Sequence, residues 1–211
     1  MNQPIARIKV IHDHALQQAG LQECVHATAG LVMSLLTGVT LLRLHSLQPV
    51  TELNEALRDS GIHLPGQVNQ ATGHEPSALC LAPADWLLFS ECPADTQLYS
   101  RLEAAINPRL TALLDQSAAY AVFRLDGAIA PWLLSKCAGL DWRRGVLSGQ
   151  HCARTLLERV PVILHYQQPG RSAGPFVVDV MVERSLARHT WQMLLGKLPH
   201  ALELEQQHGP F

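Results

Sequence analysis

The residues best suited to chemistry are eleven histidines, five cysteines and a few carboxylates set among apolar neighbours. His12-x-His14 would place two imidazoles on one face of a strand. No third ligand follows at a defined spacing, and a zinc site takes three or four protein ligands with support behind them. Solvated or hydrogen-bonded histidines are the expectation, His200 and His208 falling in a polar C-terminal stretch, and no metal site is assigned. The cysteines (Cys24, Cys80, Cys92, Cys137, Cys152) contain no CxxC pair. Cys152 follows His151, but neighbours in a strand point to opposite faces and cannot act together. There is no GxSxG, so the cysteines read as small buried hydrophobes and no catalytic residue is assigned. Gly145-Val-Leu-Ser-Gly149 has too few glycines to cradle a phosphate, and no GxGxxG or GxxxxGK follows a strand.

Three charged residues near strands remain as candidates for cofactor binding: Asp115, Arg154 and Asp179. Asp179 interrupts Phe176-Val-Val-Asp-Val-Met-Val182, where alternation puts it on the face of Val177 and Met181. A carboxylate there either meets solvent or accepts hydrogen bonds from a ligand. Alternation accounts for the solvent face without further assumptions, and that is the expectation. Arg124 and Arg154 read first as edge or interface charges and second as ligand clamps.

The elements that must position these groups follow from periodicity. Leu31–Leu36 and Val39–Leu44 are apolar runs separated by Thr37-Gly38, which suits a hairpin or a helix running into a strand. Pro49 opens a helix carrying Val50, Leu53 and Leu57 on one face, and Ser60-Gly61 stops it. Residues 62–77 read as a long loop. Ala78–Leu81 and Trp86–Ser90 are strands joined by Ala82-Pro83-Ala84-Asp85, where proline presets the turn. Asp95 is a candidate cap for a helix with Leu98, Leu102 and Ile106, which Asn107-Pro108 ends before a strand at Leu110–Leu114. The order is β-α-β-β-α-β, the split βαβ pattern.

A second half repeats the opening of the first. Thr40-Leu-Leu-Arg-Leu44 before a helix matches Ala121-Val-Phe-Arg-Leu125 before another, which Asp126-Gly127 is expected to cap ahead of Ile129, Leu133 and Cys137. Strands at Cys152–Leu157, Val160–Tyr166 and Phe176–Val182 follow. A helix then begins near Arg184, with Leu186, Thr190, Trp191, Leu194 and Leu195 on one side. The fold class expected is α+β: two weakly repeated split βαβ (ferredoxin-like) halves, mainly antiparallel sheets with helices packed on them. A chance likeness of two amphipathic strand–helix units is the alternative.

Composition sets the classes that remain. Of 211 residues only 16% are charged and 35 are leucine, with 16 Lys/Arg against 18 Asp/Glu and a net charge of −2. Ample apolar surface excludes intrinsic disorder, and the charge balance excludes an electrostatic nucleic-acid binder. Widely spaced cysteines point to a reducing compartment. Arg7, Lys9, Asp13 and Glu23 interrupt the opening residues against a signal peptide. The longest uncharged stretch, Ala27–Leu42, falls short of a membrane span. A cytoplasmic globular protein with no membrane partner is expected.

The order of short motifs adds a resemblance. Leu81-Ala-Pro-Ala-Asp-Trp-Leu-Leu88 resembles the hairpin motif of the sarcosine oxidase gamma-subunit family. Asp115-Gln-Ser, Ala121-Val-Phe-Arg-Leu125, Leu133-Leu-Ser-Lys-Cys137 with Leu140-Asp141, and Cys152-Ala-Arg-Thr-Leu-Leu157 follow. Val160-Pro-Val-Ile-Leu-His165 and Arg184-Ser-Leu-Ala-Arg-His-Thr-Trp191 continue in that family's order. The resemblance covers residues 39–196, leaving an undefined segment 1–38 and a tail 197–211; Ala84 stands where that family commonly has Asp, and 167–175 is long for it. It implies a fold like part of the folate-binding domain of aminomethyltransferases, and a non-catalytic subunit of a heterotetrameric flavoenzyme that demethylates sarcosine oxidatively to glycine. In that reading this chain binds no cofactor. FAD, FMN, NAD, tetrahydrofolate and zinc belong to partner subunits, the large flavin-binding chains among them. The alternative is a free-standing folate or one-carbon binding protein. The aliphatic composition then reads as surface intended for burial, by a partner or in a homodimer of the isolated chain.

Overall fold

Most strands of this chain are apolar on both faces, and such a sheet has to be covered on two sides. The computed structural model describes residues 25–28, 30–92, 96–142, 151–167 and 176–209. Eleven strands run in the order β1 Val25–Thr28, β2 Leu31–Leu36, β3 Thr40–Ser46, β4 Ala71–Thr72, β5 Ser77–Ala82, β6 Asp85–Ser90, β7 Thr111–Asp115, β8 Tyr120–Asp126, β9 His151–Leu157, β10 Val160–Gln167 and β11 Val177–Glu183. Among the described residues four α-helices accompany them: α1 Val50–Ala56, α2 Thr96–Ala105, α3 Ala130–Ser135 and α4 Ala187–His208. The strands form two antiparallel sheets, β4-β5-β6-β3-β7 and β1-β2-β8-β11-β10-β9.

The two halves expected from sequence are present, and each has the ferredoxin-like strand order. In the first, β5-β6-β3-β7 carries α1 and α2. In the second, β10-β11-β8-β2 carries α3 and α4, with its last strand supplied from earlier in the chain. The chain crosses between sheets at residues 37–39 and again at 116–119. The two apolar runs before Arg43 are therefore neither a hairpin nor a helix and strand: β2 and β3 lie in different sheets.

Alternation then builds four layers. Leu42, Leu44 and Leu88 face Leu53 of α1 and Leu98 and Leu102 of α2. Phe123, Val162 and Val180 face Leu133 of α3 and Trp191 and Leu194 of α4. The opposite faces of the two sheets meet through Leu41, Leu79, Leu87 and Phe89 against Val122, Ile163 and Met181. One edge of this sandwich is closed by backbone: Gln70 bridges His151, and the Cys152 amide donates to the Asn69 carbonyl at 3.0 Å.

Local chemistry corrects several boundaries. Helix α3 starts at Ala130 with Ile129 as its cap residue and no side-chain capping bond, so Asp126 does not cap it. Gly127 instead serves a close approach: its φ is 138° and an added Cβ would lie 2.1 Å from the Gly30 carbonyl oxygen. Residues 62–77 contain β4 and the buried Ile62, Leu64 and Pro65. The Pro65 carbonyl accepts from the Trp86 indole N–H at 2.9 Å. Helix α4 runs on through the segment read as a tail, burying Leu198 and Ala201. His12, His14, Asp95 and Gly145–Gly149 lie outside the described residues.

Candidate functional site

Charge on the face between two packed sheets needs a specific partner, because leaving water is costly for an ion. Alternation along β8, β10 and β11 places Arg124, His165 and Asp179 on the same face as Val122, Ile163 and Met181. Register sets them side by side, Arg124 opposite Asp179 and Asp179 opposite His165. Asp179 is fully buried. This corrects the solvent-facing expectation: alternation correctly identified the face, but the second sheet covers it.

The Asp179 carboxylate is saturated. Arg124 donates to it through Nε at 2.7 Å and Nη2 at 3.0 Å, and Gln167 Nε2 donates at 2.6 Å. His165 is also buried; its Nδ1 stands 3.6 Å from Asp179 Oδ2 and its ring meets Phe89 edge-on. Burial alone would raise the Asp179 carboxyl, but the His165 ring and the Arg124 guanidinium outweigh it and hold it below the ordinary aspartate range. The outer edge of Arg124 reaches across to the other sheet, where Glu91 accepts from Nη1 at 3.0 Å and Nη2 at 2.8 Å. Burial works against the Arg124 charge, and its two carboxylates more than compensate, raising its pKa.

The first half holds a related pair. Arg43, at the matching place in β3, donates to Asp85 through Nε at 2.9 Å and Nη2 at 2.7 Å. Asp85 is buried at the start of β6, two residues before the register partner of Arg43. Hydrogen bonding to Asp85 raises the Arg43 pKa against the smaller effect of burial. Beside Arg43 lies an open cavity of about 500 Å³, lined also by Gln116, Tyr120, Glu183 and Arg184.

Of the residues singled out from sequence, Asp115 is exposed at the end of β7 and accepts from the amide and hydroxyl of Ser117 at 2.9 and 2.6 Å. Ser117 in turn accepts from the Leu41 amide at 2.9 Å, so Asp115 orders the crossing into β8. Arg154 is exposed on β9, at the other side of the molecule from β7. The structure does not bring these two to Asp179. Arg43, Asp85 and Glu91 were missed. The signal that could have found them was the arginine repeated at one place in both strand–helix units.

Cys80, Cys137 and Cys152 are buried. Burial pushes the Cys137 thiol up to about 11 and Cys152 to about 12, which keeps them protonated and unreactive at neutral pH. No group of three or more metal-binding side chains occurs among the described residues. Large apolar side chains are exposed at Leu47, Leu110 and Leu114 along the β7 edge, where the Leu47 amide donates to the Leu110 carbonyl at 2.8 Å.

No family model and no curated protein matches this sequence. Among solved structures, a chain of the heterotetrameric sarcosine oxidase from Corynebacterium sp. U-96 superposes with a TM-score of 0.72 at 22% identity, over 89% of this chain and 92% of that one. The fold is that of a sarcosine oxidase chain. The glycine cleavage system aminomethyltransferase T from Bartonella henselae superposes with a TM-score of 0.56 at 14% identity. There the likeness covers 85% of this chain and 55% of the other.

Proposed function

We propose that this chain is a gamma-type, non-catalytic subunit of a heterotetrameric sarcosine oxidase-like flavoenzyme and acts by subunit interaction. The observation that carries the reading is length as well as shape: the likeness extends over 92% of the sarcosine oxidase chain, so the two are matched nearly end to end. The exposed leucines of the β7 edge suit a surface covered by another subunit. The flavins FAD and FMN, with NAD, tetrahydrofolate and zinc, then belong to the large flavin-binding and small partner chains.

Co-expression with the flavin-binding subunits tests the reading. The expected result is a stable complex that produces peroxide when given sarcosine. Failure of the chain to co-purify at any salt concentration overturns it. Tetrahydrofolate titrated into the isolated chain, followed by tryptophan fluorescence, separates the folate-binding alternative.

A further inference from the structure

Arg124 and Arg43 are bound to their aspartates through the same two nitrogens, Nε and Nη2. A guanidinium so held still presents a second fork, Nη1 with Nη2, that fits another carboxylate. On Arg124 that fork is filled by Glu91, at 3.0 and 2.8 Å. On Arg43 it is not: among the described residues Asp85 is its only ion-pair partner, and 34% of its side chain is exposed, against 19% for Arg124. Where one half of the fold closes the fork with Glu91, the other has the cavity of about 500 Å³, whose lining includes Glu183 with no ion pair to Arg43.

We infer that the cavity beside Arg43 is a carboxylate-binding site, in which an incoming carboxylate takes the free fork as Glu91 does on Arg124. Gln116 and Tyr120, whose side chains can both donate hydrogen bonds, are among the residues that line it. Asp85 already neutralises one positive charge, and Glu183 is part of the lining. A second negative charge on the ligand would meet Glu183, so the site favours a monocarboxylate over a dicarboxylate. The carboxylate has two sources, a small acid in solution or an acidic side chain of a partner subunit. Only the second rests on the proposed assembly.

Two arms test this. In the first, acetate and succinate are titrated into the purified full-length chain and followed by amide chemical shifts. Acetate should move the amides of Gln116, Tyr120 and Arg184 and bind more tightly than succinate. Arg43→Lys keeps a cation for Asp85 but removes the fork, and should weaken acetate roughly tenfold or more. In the second arm, the Arg43→Lys chain is co-expressed with the flavin-binding subunits. Loss of acetate binding assigns the site to a small acid; no acetate binding with weakened assembly assigns it to a partner side chain. Acetate binding that Arg43→Lys leaves unchanged overturns the inference, as does the absence of both effects. Should Arg43→Lys not fold, Glu183→Gln decides: it must strengthen succinate binding or assembly, or the inference falls. If the wild-type chain fails to assemble at all, the proposed function falls while the first arm still stands.

Discussion

Arg124 and Arg43 sit at matching places in matching strands, each next to last in an apolar run, and each grips a buried aspartate. Their surroundings differ. Around Arg124 the two sheets meet closely, and Asp179, Gln167, His165 and Glu91 surround it, with Glu91 at the exposed side. Around Arg43 the sheets leave a cavity open to solvent. A repeated fold fixes where the arginines go, while the residues entering from the opposite sheet decide whether each becomes a structural tie or a surface a ligand can reach.

The sharpest way to break that comparison is to remove the two aspartates in turn. Asp179→Ala leaves a largely buried guanidinium with only Glu91, and breaking a buried pair typically costs about 3–5 kcal/mol. Urea unfolding should show a loss near the lower end of that range, since Glu91 remains. Asp85→Ala leaves Arg43 able to turn toward water, and a partly exposed pair contributes about 1 kcal/mol. Equal losses at the two positions would mean that both arginines are structural ties of equal weight.

Acid sharpens the same contrast. The Asp179 carboxyl is held below its ordinary value of 3.8, so the folded state binds its proton less readily than the unfolded chain does. Its stabilisation is fully present above that ordinary value and is lost as pH falls through the lower folded value. Unfolding measured across acid pH should show wild type and Asp179→Asn converging below about pH 4, the unfolded aspartate range. A constant difference at all pH values would contradict a charged Asp179 in the folded protein.

How much of this was legible in the sequence depends on whether a residue's partners are near in the chain. Strands and helices were, because Leu98, Leu102 and Ile106, or Leu194 and Trp191, declare their period locally. The repeat was legible too, through the paired Leu-Leu-Arg-Leu and Val-Phe-Arg-Leu runs. The fate of Asp179 was not. Its alternation looks the same whether water or another sheet lies above it, and the covering sheet comes from residues roughly ninety positions earlier, including Phe89 and Glu91. Likewise Val177–Glu183 is almost wholly buried, a run in which period two carries no inside-or-outside signal. Leu31–Leu36 and Val39–Leu44 were ambiguous because a link as short as Thr37-Gly38 can close a hairpin as readily as it can cross between sheets.

The smallest effect on stability, and the most direct test of the comparison, comes from Glu91. Its side chain is 45% exposed, and a pair of that exposure contributes little, so Glu91→Ala should change unfolding free energy by less than about 1 kcal/mol. What it should change is access. With Glu91 gone, Nη1 and Nη2 of Arg124 present the fork that Arg43 already presents, while Asp179 keeps Nε and Nη2 in place. Acetate should then perturb amides near Arg124 as well as those near Arg43, giving two sites where wild type has one. Because Arg124 is more deeply set, the new site should be the weaker of the two. If Glu91→Ala gains no acetate site while the Arg43 cavity binds acetate, then the free fork is not sufficient. The other residues that line the cavity would then be what makes it a site.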